Sequence, residues 1–190
     1  MKVIGLTGSI ATGKSTVSKF LIDQGFEVVD CDQIVHQLLK SHQECINQIK
    51  KEFDVVKNNT VDKKALAQLI FNDHQKKIKL EKIIHPLVIK TMQDAIKKSV
   101  NKIIFLDIPL LYENKLEYLC DEIIVVYTTP SKQIERLMRR EKIDLDYAKK
   151  KIHSQISIEE KQLKTKYVIN NIKDLQYLYQ EIHRVLGALQ

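Results

Sequence analysis

A chain of 190 residues can bury one substantial core with small insertions and is short for two independent domains. Hydrophobic residues make up 44%, with only 3 Pro and 5 Gly, which excludes a long disordered or low-complexity protein, and no apolar run approaches the roughly 20 residues of a membrane span. The net charge of +7 would attract polyanions, yet Lys76-Lys77, Lys97-Lys98 and Lys149-Lys150-Lys151 are scattered without interleaved aromatics, so a solvated Lys-rich surface is expected rather than a nucleic-acid interface.

The chain enters an apolar, β-branched run at once, Lys2-Val3-Ile4-Gly5-Leu6-Thr7, which reads as a buried parallel strand with no secretory leader before it. Cys31, Cys45 and Cys120 are odd in number and lack C-x-x-C spacing, so neither a disulfide framework nor a zinc site is expected. A reducing, cytoplasmic location fits.

Gly8-Ser9-Ile10-Ala11-Thr12-Gly13-Lys14-Ser15 matches G-x-x-x-x-G-K-[ST] at every specified position and is a phosphate-binding loop in sequence form. Clustered phosphate oxygens need converging backbone N–H groups, and a glycine-permissive turn lets the main chain curl that tightly. Gly8, Ala11, Thr12, Gly13, Lys14, Ser15 and Thr16 are the expected nucleotide-binding residues. Within them Lys14 would meet the β- and γ-phosphates of ATP, and the Ser15 hydroxyl would ligate Mg²⁺. A helix from about Lys14, carrying Val17, Phe20 and Leu21 at helical spacing, ends at Gly25 and aims its N-terminus at the same phosphates.

Gly25 to Asp30 reads as a second strand with Asp32 just past its carboxyl end, where ligands bind in open α/β sheets. Asp32 could equally cap the next helix, and the Asp30–Asp32 pair could divide the two roles. Residues 33 to 100 read as wholly helical, with Asn58-Asn59-Thr60 as a turn, Asp62 as a cap, and Pro86 either kinking a long helix or starting a new one. So many helices between strands imply a helical insertion able to hold a second substrate. Lys102 to Asp107 is the third strand, and Asp107 at its end suits either a Walker-B-type Mg²⁺ carboxylate or a bond to loop N–H groups. Glu122 to Tyr127 is the fourth strand, and Thr129-Pro130 opens a helix on which Arg136 and Arg140 share a face. Those arginines fit a lid closing over phosphates, or ion pairing with Glu135 and Glu141. Asp144 caps another helix, Tyr167 to Ile169 is the last strand, and an amphipathic helix closes the chain. The alternation specifies an α/β fold, a parallel sheet with helices on both faces.

Over its whole length this pattern resembles the dephospho-CoA kinase family. The likeness rests on Gly5 to Ser9 leading into the P-loop, Asp30-Cys31-Asp32, Leu80 to Pro86, and Pro109-Leu110-Leu111-Tyr112-Glu113. It continues through Gln133 with Arg136 and Arg140, Ser154-Gln155, and Val168-Ile169-Asn170-Asn171. Departures are Lys63, Glu141, Lys151 and Thr165-Lys166, where that family more often has Arg, Asp, Arg and Ala-Asp. The resemblance implies a three-layer α/β/α P-loop fold with a core at about 1–32, 101–135 and 165–190, an insertion at about 33–100 and a lid at about 136–164. It implies transfer of the ATP γ-phosphoryl to the ribose 3′-hydroxyl of dephospho-CoA. Lys14, Asp32, Arg136 and Arg140 would be catalytic, Asp32, His85, Leu110 and Glu113 would touch the acceptor, and Ser15 and Asp107 would hold Mg²⁺. A monomer or weak homo-oligomer, with neither nucleic acid nor membrane as partner, completes the expectation. The alternatives are another small P-loop metabolite or nucleoside monophosphate kinase, and a nucleic-acid-binding P-loop ATPase or switch.

Overall fold

The computed structural model describes Met1–Leu189 and resolves into two compact units, Met1–Val29 with Ser99–Gln190, and Asp30–Lys98. The first is built on strands that are apolar on both faces. β1 (Lys2–Gly8) is buried along nearly its whole length and is followed by α1 (Lys14–Asp23) and β2 (Glu27–Asp30). Gly25, at φ 82°, ends α1: its N–H bonds to the Ile22 carbonyl and that of Phe26 to Leu21, a left-handed helix stop that costs glycine little.

The second unit holds α2 (Cys31–Ser41), α3 (Gln43–Glu52), β3 (Val56–Lys57), β4 (Thr60–Val61), α4 (Lys63–Asn72) and α5 (His74–Lys98). Side-chain caps start its helices, Asp30 for α2, His42 for α3 and Asp62 for α4. Its core gathers Ile34, Leu38, Ile46, Ile49, Leu80 and Met92, all buried. In one place this unit departs from the helical expectation. Asn58 and Asn59, at φ 49° and 58°, turn β3 back onto β4, because paired left-handed residues suit the tight turn of a hairpin and asparagine tolerates that region. Of the two readings open for Pro86, the long helix holds: α5 continues through it, and no new helix starts there. The lost backbone bond costs about 3 kcal/mol. Leu80, Ile84, Val88 and Met92, buried on both sides of it, offset that at about 1.5–3 kcal/mol each.

The chain returns to the first unit with β5 (Ile103–Asp107), β6 (Glu122–Tyr127), α6 (Pro130–Glu141), α7 (Leu145–His153), α8 (Ile158–Leu163), β7 (Tyr167–Asn170) and α9 (Leu175–Leu189). The sheet order is β2-β5-β1-β6-β7, and β1 pairs in parallel with β5 and β6, as β6 does with β7. Its core packs Ile4, Leu6, Phe105, Ile124, Val126 and Ile169 against Val17 and Leu21 of α1 and Leu178, Ile182, Val185 and Leu189 of α9. The chain leaves β1 toward β2 and leaves β6 toward β7, so these neighbours mark the point where connections diverge and a crevice opens at the strands' carboxyl ends. The P-loop follows β1 at that place. Among the described residues no helix is long and apolar enough to cross a membrane.

Glu181 on α9 ties that helix to the end of β7. It accepts from Arg184 at 2.8 Å and from the backbone and side chain of Asn170 at 3.1 and 2.8 Å. Arg184 first, then Asn170, hold its carboxyl well down, to about 2 from the usual 4.5. A lowered carboxylate stabilises fully above its unfolded value and loses that contribution as pH falls towards the folded one. Glu181→Gln should therefore destabilise by about 2 kcal/mol at pH 7, allowing for the exposed Arg184 partner. Urea unfolding from pH 6 down to pH 2.5 should show the wild-type advantage shrinking, and a constant gap would assign the stabilisation to something other than this carboxylate.

Candidate active site

The P-loop is shaped by two left-handed residues. Ala11 sits at φ 62° and Gly13 at φ 94°, directly before α1. A β-carbon on Gly13 would stand 2.1 Å from Asn171 Nδ2, and one on Gly8 would stand 2.6 Å from Thr12 Oγ1. Gly13 has no side chain to cap α1, so the first N–H groups of that helix keep their partial positive charge. Among the described residues the N–H groups of Ala11, Gly13, Lys14 and Ser15 take no protein acceptor, which leaves a cluster of donors suited to an anion.

Four carbonyls of the same loop, those of Gly8, Ser9, Ile10 and Thr12, each meet a side-chain donor. Lys161 Nζ donates to Gly8 O at 3.2 Å, Thr12 Oγ1 to Ser9 O at 2.9 Å, and Gln133 Nε2 to Ile10 O at 2.7 Å. Thr12 O accepts from Asn171 Nδ2 at 2.8 Å and from Arg136 at 3.5 Å. Two further bonds tie the loop to the segment before α8: Ile10 N–H donates to Gln155 Oε1 at 2.9 Å, and Ser9 Oγ to Ile156 O at 3.1 Å. Lys14 forms an ion pair with Asp107, which is almost wholly buried at the end of β5. A cavity of about 280 Å³ opens beside Gly13 and Thr16, lined also by Arg136, Asn171, Lys173 and Leu175.

The two arginines expected to act together have different surroundings. Arg136 bonds the carbonyl of Asn171 at 3.2 Å as well as Thr12 O, whereas Arg140 is exposed and pairs with Glu141 at 2.8 Å. Glu141 also meets Lys151, and the two cations, Lys151 first, hold its carboxyl below the usual range. Ser15 and Thr16 are exposed at the start of α1. Leu110, partly exposed, and Glu113 lie in the turn after β5, where Glu113 Oε1 accepts from Ile156 N–H at 3.0 Å and pairs with Lys161 at 2.8 Å. In the second unit Asp32 is exposed in the first turn of α2, but the cap is Asp30, which accepts from Asp32 N–H at 2.8 Å and Gln33 N–H at 3.1 Å. His85 is partly buried in the middle of α5.

Sequence reasoning missed Lys161 altogether. Its stretch, Ser157-Ile158-Glu159-Glu160-Lys161, reads as a solvated helix start, and the one hint is that Ile158 and Lys161 are three apart on one face.

Gly13→Ala tests the loop geometry directly. The left-handed backbone and the collision with Asn171 together should cost about 3 kcal/mol. That corresponds to a fall in Tm of about 6–12 °C for a chain of this size, with nucleotide binding lost alongside. A variant that melts and binds like wild type would mean that the turn tolerates a side chain.

The dephospho-CoA kinase family model matches residues 2–176. A dephospho-CoA kinase of Staphylococcus aureus is 41% identical over 192 aligned residues, covering 97% of this chain and 92% of that one. Among solved structures, a dephospho-CoA kinase from Campylobacter jejuni is 32% identical with a TM-score of 0.74, covering 98% of this chain and 96% of that one. A Thermus thermophilus protein, 28% identical, reaches 0.83 over 100% of this chain and 98% of its own. The parallel sheet, the loop at its divergence point and the helices around it are the three-layer α/β/α arrangement of P-loop kinases. By this end-to-end agreement the chain belongs to the dephospho-CoA kinase family.

Proposed function

We propose that this kinase transfers the γ-phosphoryl group of ATP to the ribose 3′-hydroxyl of dephospho-CoA, giving CoA and ADP, the last step of coenzyme A synthesis. The observation that carries the reading is the P-loop itself, with its free donors at the sheet's divergence point and Lys14 in direct reach of Asp107. Phosphoryl transfer asks a protein mainly for positioning and for charge placed where charge develops. The amides of Ala11, Gly13, Lys14 and Ser15, with the Lys14 side chain, hold the phosphates of ATP, and the cavity beside Gly13 and Thr16 receives the nucleoside. Ser15 and Asp107 supply hard oxygen donors, a hydroxyl and a carboxylate, which suit Mg²⁺ when water and phosphate oxygens complete its shell. When bound there, Mg²⁺ would neutralise phosphate charge.

Asp32 orients the acceptor hydroxyl and takes its proton. Its place after the carboxyl end of β2, together with the assignment of capping to Asp30, supports that role. His85, Leu110 and Glu113 contact the acceptor, and residues 33–100 form most of its site. Arg136 steadies the loop through Thr12 O, and Arg140 meets the transferring group on closure. Within the 136–164 lid, residues 155–161 are tied to the P-loop, so closure belongs to the stretch around Arg139, Arg140 and Lys149 to Lys151. The protein works in the cytoplasm, as a monomer or weak homo-oligomer, without a nucleic-acid partner.

One coupled assay separates the readings: ADP release should require dephospho-CoA, not a nucleoside monophosphate, and release without any acceptor would point to an ATPase or switch. Asp32→Asn should melt as wild type and bind ATP, yet lose roughly 10²–10⁴ in kcat in single-turnover transfer. Unchanged transfer would remove Asp32 from the site. Arg140→Lys keeps the charge and loses the planar fork, and kcat should fall on the order of 10-fold with a smaller change in acceptor KM. Equal kcat would leave Arg140 as no more than the partner of Glu141.

A further inference from the structure

Lys161, on α8, is fully buried, although an ammonium is strongly hydrated and rarely leaves water completely. Burial pulls its pKa below the usual lysine value, and the Glu113 carboxylate works in the opposite direction. Its three donors find three acceptors: Gly8 O at 3.2 Å, Pro109 O at 3.5 Å and Glu113 Oε1 at 2.8 Å. Those acceptors come from two separate segments. Gly8 opens the P-loop, while Pro109 and Glu113 belong to the turn after β5, where Thr7 Oγ1 also donates to Pro109 O and Ile156 N–H to Glu113 Oε1. Stability alone does not account for such a pair, because a buried ion pair is often replaced by apolar residues of similar volume without loss. An apolar side chain has no way to hold the Gly8 carbonyl. That carbonyl shares a rigid peptide plane with the Ser9 N–H, so whatever fixes one fixes the entry angle of the loop.

We propose that Lys161 is a positioning residue for phosphoryl transfer: its ammonium, neutralised by Glu113, pins the Gly8–Ser9 peptide so that the amides after it stay turned towards the nucleotide phosphates, and it couples the P-loop to the turn Pro109–Glu113. This rests on the reading of the P-loop as the ATP site. Lys161 itself touches no phosphate; it acts through Gly8.

The test is ATP binding by calorimetry, without acceptor, in wild type, Lys161→Met, and the double variant Lys161→Met/Glu113→Gln. The double variant removes both charges, while the carboxamide oxygen introduced by Glu113→Gln can still accept from the Ile156 N–H. It should melt closer to wild type than the single variant does, yet both should bind ATP at least 10-fold more weakly. A double variant that binds ATP within twofold of wild type overturns the proposal and leaves the pair as structural. Wild-type protein that binds no ATP would instead bring down the reading of the P-loop, and the proposal with it. If neither variant folds, hydrogen exchange on wild type decides. ATP should slow amide exchange in residues 157–163 together with residues 9–16. Slowing confined to 9–16 overturns the coupling.

Discussion

A loop that turns its N–H groups onto a phosphate must turn its carbonyls the other way, into protein. A buried carbonyl without a donor costs about 1–3 kcal/mol, so the phosphate site depends on surrounding elements that bring donors to the loop's inward carbonyls. Here they come from all round the sheet unit: Lys161 from α8, Gln133 and Arg136 from α6, Asn171 from beyond β7, and Thr12 from the loop itself. The order β2-β5-β1-β6-β7 makes this possible, because it sets β1 between neighbours whose connections diverge and brings the ends of later elements round its carboxyl end. The P-loop is short in sequence, yet its conformation is a property of the whole unit.

Two ion pairs flank the loop, Lys14 with Asp107 and Lys161 with Glu113. They differ in accessibility and in use. Lys14 keeps 17% of its side chain exposed and can meet a ligand, whereas Lys161 is fully enclosed and bonded to backbone on two sides. Removing one partner from a buried pair leaves an uncompensated charge, which costs about 3–5 kcal/mol, so each pair also constrains the two segments that carry it. The cluster of Arg140, Glu141 and Lys151 contrasts with both. It is solvated, worth little to the fold, and for that reason easily rearranged.

The helical unit, Asp30–Lys98, obeys different rules. Its helices are started by side-chain caps and held by an apolar seam rather than by a sheet, and its one proline sits inside α5, where buried leucine, isoleucine, valine and methionine outweigh the missing bond. Such a unit can vary in surface chemistry while keeping its shape, because its fold rests on the buried seam and the caps rather than on exposed residues.

Local patterns determined much by themselves. The β-branched runs marked the five strands of the sheet, the G-x-x-x-x-G-K-S spacing placed the phosphate loop between β1 and α1, and Asp62, Thr129 and Asp144 were legible as helix caps because a cap acts within three residues. Tertiary structure decided what depends on distant partners. Whether Asp30 or Asp32 capped α2 turned on backbone angles that either residue type allows, and Asn58-Asn59 became a hairpin because flanking valines had a core to enter. Arg136 and Arg140, equivalent by spacing, were separated by what each could reach: loop carbonyls for one, Glu141 for the other. Lys161 was the least legible residue of all, since an acidic, solvated-looking helix start carries no sign of the Gly8 carbonyl, which lies 153 positions away in the chain and beside it in space.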